Sequence, residues 1–231
     1  MPSTSGILSP TNVGEEGAYV TFNDRPLGGH RLLLDKLPAG GRVLDAGCSA
    51  GYLAERLVQR GSTVVGLELD PEAAEKARGT CEEVLVGDVE TMELPFDPAS
   101  FDAIVCGDLI EHLRDPGSFL ARVGPLLRSG GRLALTTPNV ANWTVRLQLL
   151  FGRFRYTERG ILDRTHTHLF TRSTLVDAVE GAGYAVDEVD FTVPVPKIGE
   201  RVPGLERAAH ALGGLRPQVF AFQFVLAATR R

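Results

Sequence analysis

Long apolar runs are missing from this chain of 231 residues; none approaches the roughly 20 consecutive residues that span a bilayer. The first residues, Met1-Pro2-Ser3-Thr4-Ser5, lack the charged start and apolar centre of a signal peptide. Together these two absences predict a cytoplasmic protein with no membrane partner. Cysteine is scarce, and its three copies, Cys48, Cys81 and Cys106, are widely spaced without a Cys-x-x-Cys pair, which predicts reduced, structural thiols. An excess of positive charge is lacking too. With 24 Lys and Arg against 29 Asp and Glu, the net charge is −5, so the whole molecule offers no electrostatic reason for a nucleic-acid partner. Repeats and low-complexity tracts are absent.

What is present is an apolar fraction of 43%, enough for one α/β domain of ordinary size. Residues 1–14 are rich in Ser, Thr, Pro and Gly and are expected to form a mobile tail, leaving residues 15–231 as a single domain. Leu27 to Leu37 has the apolar spacing of a short helix. The stretch around which the chain is organised follows it. Val43 and Leu44 run into Asp45, a turn carries Gly47, Cys48, Ser49 and Gly51, and Tyr52 to Leu57 has helical spacing. A strand, tight turn and helix in that order leave backbone N–H groups and a helix N-terminus at the carboxyl edge of a parallel sheet, where small ligands bind. A dinucleotide is disfavoured, because a Gly-x-Gly-x-x-Gly fingerprint counted from Gly47 meets Ser49 and Tyr52 instead of glycine. An acid ending the strand, Asp45, suits an ammonium or sulfonium better than a pyrophosphate.

The Asp45-x-Gly47-x-x-x-Gly51 pattern resembles the first motif of the class I S-adenosylmethionine-dependent methyltransferases, although Ser49 stands where family members usually have glycine. The resemblance covers about residues 40–192 and implies a Rossmann-like, doubly wound, mostly parallel seven-stranded sheet whose last strand is antiparallel. The strand and helix patterns agree with it. Thr63 to Glu68, Glu83 to Val89, Ser100 to Asp108 and Ser129 to Asn139 read as successive strands separated by helical segments at 71 onward, 109–115 and 117–127. Val186 to Val193 and Gln218 to Thr229 read as the last two. Four successive strand ends carry Asp45, Glu68, Asp88 and Asp108, which would all project at one edge; one cationic ligand accounts for them together. Glu68 lies 23 positions after Asp45, near the ~20-residue separation at which nucleotide folds place an acid on ribose hydroxyls. By resemblance, Asp88 binds the adenine amino group, Val89 lends its backbone N–H to the ring, and Tyr19 and Phe22 belong to a segment that closes over the cofactor. Cys48 falls within the binding turn.

From Val140 to Thr171 the alternation breaks, and acceptor specificity is expected there, with residues 139–172 and 194–217 as insertions that shape the pocket. Trp143, Leu147, Leu150 and Phe151 have helical spacing. Arg146, Arg153, Arg155, Arg159, Arg164 and Arg172 outnumber Glu158 and Asp163, a local basic excess that fits an acceptor with an anionic group and a solvated basic face equally. The Leu162-Asp163-Arg164-Thr165-His166 block ahead of Phe170-Thr171 resembles bacterial sugar O-methyltransferases that accompany glycosyltransferases, and Pro138 to Leu150 resembles the methionine-biosynthesis methyltransferase-like proteins.

Methylating a hydroxyl requires a base or a metal, because an alcohol loses its proton only near a pKa on the order of 15. His166 is the first choice of base and His112 the second, with Asp163 beside them. In an extended segment His166 and His168 would share one side, and with Asp163 and Asp108 they could hold a divalent ion; a metal-free site is preferred because no dense metal signature is present. The expected activity is transfer of a methyl group from S-adenosylmethionine to a hydroxyl of a small polar acceptor such as a sugar, glycoside or nucleotide sugar. An amino-sugar N-methyltransferase and a non-catalytic methyltransferase-like partner protein are the alternatives. Assembly is open between monomer and homodimer.

Overall fold

The structure is a computed structural model that describes residues 22–194 and 204–231. The expected tail at 1–14, Tyr19 and most of the front of the second insertion lie outside these residues. The strands are β1 (Gly41–Ala46), β2 (Ser62–Glu68), β3 (Glu83–Val86), β4 (Phe101–Gly107), β5 (Leu127–Pro138), β6 (Tyr184–Thr192) and β7 (Gln223–Arg230). They form one seven-stranded sheet in the order β3-β2-β1-β4-β5-β7-β6. Strands β1 to β5 pair in parallel, and β7 runs antiparallel to both of its neighbours. The expected doubly wound sheet with an antiparallel last strand is therefore the observed one.

The central strands read as near-continuous apolar runs because both of their faces are covered. Successive side chains point to opposite faces, so Leu44, Ile104 and Leu135 enter one core, shared with Phe119, Leu120 and Phe224. Val43, Val64 and Val105 enter the other, against Leu33, Leu57 and Ala74. The helices that cover the faces are α1 (Gly29–Lys36), α2 (Tyr52–Gln59), α3 (Pro71–Ala77), α4 (Pro116–Val123) and α6 (Arg172–Gly181). Their starts follow local chemistry. Asp70 and Asp115 accept backbone N–H groups at the N-termini of α3 and α4, each with proline in the first turn, and Thr171 with Thr174 forms a reciprocal capping box on α6.

Two expectations give way. Residues 109–115 are a turn rather than a helix: His112 N–H reaches back to the Leu109 carbonyl at 3.0 Å, but the Glu111 carbonyl accepts the N–H groups of Thr167 and His168 at 2.8 and 3.0 Å instead of a helical partner. The last strand starts at Gln223, because Pro217 opens a short helix, α8 (Pro217–Phe220). Helix α5 (Trp143–Leu150) forms where its apolar spacing predicts it, capped by Asn142, and that spacing belongs to no buried face. Trp143, Leu147, Leu150 and Phe151 are 46–77% exposed and only Val145 of the helix is buried. Between the last two strands, α7 (Leu205–Gly213) occupies the expected helical position. Among the described residues no helix is long and apolar enough to cross a membrane.

Candidate active site

The turn after β1 is shaped by backbone conformation. Gly47 and Gly51 hold φ of 74° and 81°, and Ser49 itself stands at φ 48°, a left-handed conformation that favours glycine. At Gly51 space is also short, since an added Cβ would lie 3.1 Å from the Ala77 Cα. Gly47 and Cys48 donate their N–H groups to the Leu67 carbonyl at 2.8 and 3.0 Å, and Gly51 donates to the Cys48 carbonyl at 2.9 Å. This turn opens α2 and forms one wall of a recess that Asp45, Gly47, Cys48, Tyr52, Gly107 and Asp108 line together with His30 and Leu33 of α1. Cys48 supplies bulk and a turn rather than an exposed thiol. Its side chain is 2% exposed, it occupies the space that the missing side chain of Gly66 leaves, and contact with Cys81 followed by burial pushes its thiol far up.

Asp45 is 2% exposed, and its Oδ2 has no hydrogen-bond partner among the described residues. Burial first, and the Glu68 carboxylate second, push its carboxyl up to about 7. An orphaned, buried acceptor facing a recess is the place for a cation, whose arrival would restore the carboxylate's charge. Glu68 is held in place by two N–H donors, Ser49 to Oε2 at 2.7 Å and Asp70 to Oε1 at 2.9 Å. A carboxylate has about four acceptor positions, so this tether leaves room for a diol. Asp108, at φ 50°, is fixed by the Thr136 hydroxyl at 2.9 Å and by the Gln223 amide. Asp88 lies one strand farther out. Its Oδ1 accepts the Glu90 N–H at 2.9 Å and its Oδ2 faces Arg114 at 3.5 Å, while Val89 is buried beside it.

The candidate acceptor side is built by stitching a distant segment onto the turn that follows β4. Besides the two N–H bonds to the Glu111 carbonyl, the Thr167 hydroxyl donates to the Leu113 carbonyl at 2.6 Å. This brings His166 against His112, ring centroids 4.8 Å apart and near perpendicular at 74°. Each ring bonds a carbonyl through Nδ1, His112 that of Thr165 at 3.3 Å and His166 that of Ile161 at 3.1 Å. A carbonyl can only accept, so Nδ1 carries a proton in both, and Nε2 is the nitrogen left for another partner. Burial lowers the proton affinity of His166, and the neighbouring His112 lowers it further against the pull of the Ile161 carbonyl. The pairing of His166 with His168 is corrected. His168 turns away to the Leu113 carbonyl at 2.9 Å, because residues 161–165 form turns and no extended strand follows through 171. Asp163 is one cause: its Oδ1 caps the turn by accepting both the N–H and the hydroxyl of Thr165 at 2.8 Å. Two participants carry no site role in the sequence alone: Glu111, 1% exposed, reads there as half of a Glu111-His112 pair on a short helix, and His30 lies in a segment marked only by its apolar spacing.

Residues 23–189 match a family described as a methyltransferase domain. The chain belongs to the S-adenosylmethionine-dependent methyltransferases. Among similar proteins, a ubiquinone biosynthesis O-methyltransferase of Aeromonas salmonicida (strain A449) is 30% identical over 176 residues, 71% of this chain and 73% of that protein. One of the same description from Xanthomonas axonopodis pv. citri (strain 306) is 37% identical over 108 residues, and there the match spans only 45% of the relative's length. In three dimensions a S-adenosylmethionine-dependent methyltransferase from Mesorhizobium loti superposes with a TM-score of 0.64 at 18% identity, covering 88% of this chain and 98% of that one, which speaks for the fold.

The methyltransferase's cofactor is S-adenosylmethionine, and the residues present fit it. A buried acceptor without a partner at Asp45 suits its cationic end, and a tethered Glu68 suits its ribose. Gly47 and Cys48 of the left-handed turn line the recess directly.

Proposed function

We propose that this methyltransferase is an O-methyltransferase that acts on a hydroxyl of a small organic acceptor held between the cofactor recess and the His112–His166 pair. The pairing of these two rings carries the reading, since a nitrogen acceptor arriving neutral needs no such group while an alcohol does. When bound, S-adenosylmethionine supplies an electrophilic methyl carbon whose C–S bond breaks as the C–O bond forms. Asp45, Gly47, Gly51, Glu68, Asp88, Val89 and Asp108 hold the donor, and Cys48 completes the turn. His166, with a lowered proton affinity and an available Nε2, takes up the hydroxyl proton. His112 and Asp163 orient it, the first by ring contact and the second by fixing the turn that carries it.

The relatives named above are O-methyltransferases of ubiquinone biosynthesis, which favours oxygen over the nitrogen of an amino sugar. They lend no support to a sugar acceptor. The exposed face of Trp143, Leu147, Leu150 and Phe151 on the acceptor side favours a hydroxylated molecule with an apolar portion. We read residues 15–231 as one catalytic domain, with 139–172 and 194–217 shaping the acceptor site. The test is calorimetric titration with S-adenosylhomocysteine, followed by a product screen of catechols, alkylated hydroquinones, sugars and amino sugars. Micromolar binding and methylation of a phenolic hydroxyl are expected. Binding without turnover on any hydroxyl, or methylation of amines alone, would overturn the reading in favour of a partner protein or an N-methyltransferase.

A further inference from the structure

We propose that Glu111, His112 and His166 form a binding site for one divalent transition-metal ion. One potential ligating atom from each of the three residues lies within 4.8 Å of the others. Tetrahedral ligands sharing an ion at about 2.0–2.2 Å stand about 3.3–3.6 Å apart, so closing the site asks for side-chain movements of up to about an ångström, within the reach of rotamer adjustment.

Two independent features separate this cluster from a chance grouping. The Glu111 side chain is 1% exposed, and neither of its carboxylate oxygens makes a hydrogen bond of ordinary geometry among the described residues. A carboxylate buried in that state is costly, and a cation at the cluster removes the cost. Both imidazoles, moreover, commit Nδ1–H to a backbone carbonyl, His112 to Thr165 and His166 to Ile161. That is the outer-shell arrangement that fixes the tautomer of a metal-bound histidine and turns Nε2 toward the ion.

The donor set selects the metal. Two imidazoles and one carboxylate suit Zn2+, Co2+, Mn2+ or Fe2+ better than Mg2+, which prefers oxygen and keeps its water. Asp108 sits close enough to influence both Glu111 and His166 electrostatically, so the surroundings of the ion are negative. Three protein ligands leave positions open. An acceptor hydroxyl in one of them releases its proton to water more readily, and its oxygen then takes the methyl group as the donor's C–S bond breaks. In this form His166 is a ligand and not the free base. The role of the ion thus rests on the O-methyl-transfer reading; its binding does not.

The test uses the full chain, stripped with a chelator and titrated with Co2+ while visible absorption and heat are recorded. One equivalent of Co2+ is expected to give d–d bands, and Glu111→Gln and His166→Asn are each expected to weaken binding at least tenfold, the loss that disturbing even an outer-shell partner causes. His168→Asn, which alters a ring bonded to Leu113 outside the cluster, is expected to bind Co2+ like the parent. His166 is only half-buried, so its variant serves if Glu111→Gln fails to fold, and S-adenosylhomocysteine titration of each sample verifies the fold. Absence of bands in the parent, or equal Co2+ affinity in the parent and in a folded His166→Asn variant, would overturn the site. S-adenosylhomocysteine binding without Co2+ binding would remove the metal and leave the methyltransferase reading untouched.

Discussion

The two sides of the sheet's carboxyl edge hold their functional groups by different means. On the cofactor side, Asp45, Glu68 and Asp108 sit at the ends of adjacent strands whose register is locked by parallel pairing, Asp45 against Gly66 and Val105. Their positions follow from β1, β2 and β4 themselves. On the acceptor side, His166 arrives from more than fifty residues down the chain and is held against His112 by a few bonds from Thr167 and His168 to Glu111 and Leu113. The difference teaches that the proposed donor site is a property of the sheet, whereas the proposed acceptor site depends on one irregular segment docking correctly.

Substitutions can break or sharpen that contrast. The largest effect is expected from His166→Ala. Turnover should fall by about 10²–10⁴-fold while S-adenosylhomocysteine affinity stays the same by calorimetry; a matching fall in affinity would show that the two sides are not separable. Next comes Asp45→Asn. Because the Asp45 carboxyl is raised to about 7 in the folded protein and stands near about 3.9 in an unfolded chain, the folded state retains a proton that the unfolded state has released. Stability of the ligand-free protein therefore falls as pH rises from about 4 to about 7, by on the order of 4 kcal/mol for this group alone. Asp45→Asn should remove that share of the decline in thermal unfolding curves taken across the window. Curves that stay parallel to the parent's would show that Asp45 is not held protonated.

Glu68→Ala is expected to weaken cofactor binding by about 1–3 kcal/mol through lost charged hydrogen bonds. It also unties Ser49, whose N–H it accepts at 2.7 Å, so unchanged affinity would remove Glu68 from the ribose and from the turn alike. The smallest effect is expected from Thr167→Val, which deletes the hydroxyl bonded to the Leu113 carbonyl. A loss of about 1 kcal/mol in stability with reduced turnover and normal cofactor affinity would locate the docking of the acceptor segment at that bond. A proportional loss of cofactor binding would contradict the division between the two sides.

The degree to which the site was legible follows the same division. Alternating apolar runs ending in Asp45, Glu68 and Asp108 identified both the strands and the edge, because a buried parallel strand must be apolar and its end must be where polarity returns. The left-handed Ser49 accounts for the place where glycine is usual in the family. Helix α5 was legible as a helix, and its exposure was not. Its spacing is regular, but Leu150 is 77% exposed, since periodicity records which side chains share a face and not what covers that face. Glu111 stood out only as the neighbour of His112, without a role, because a turn that gives its carbonyl to a remote segment looks, in sequence, like the start of a helix.

Sequence alone determined the sheet, its β1 turn and the acids along its edge, because those follow from local periodicity, backbone conformations that favour glycine, and the two-residue repeat of a strand. The tertiary structure decided that His166 meets His112 and Glu111 rather than His168. That meeting depends on hydrogen bonds between segments far apart in the chain, and no local spacing encodes them.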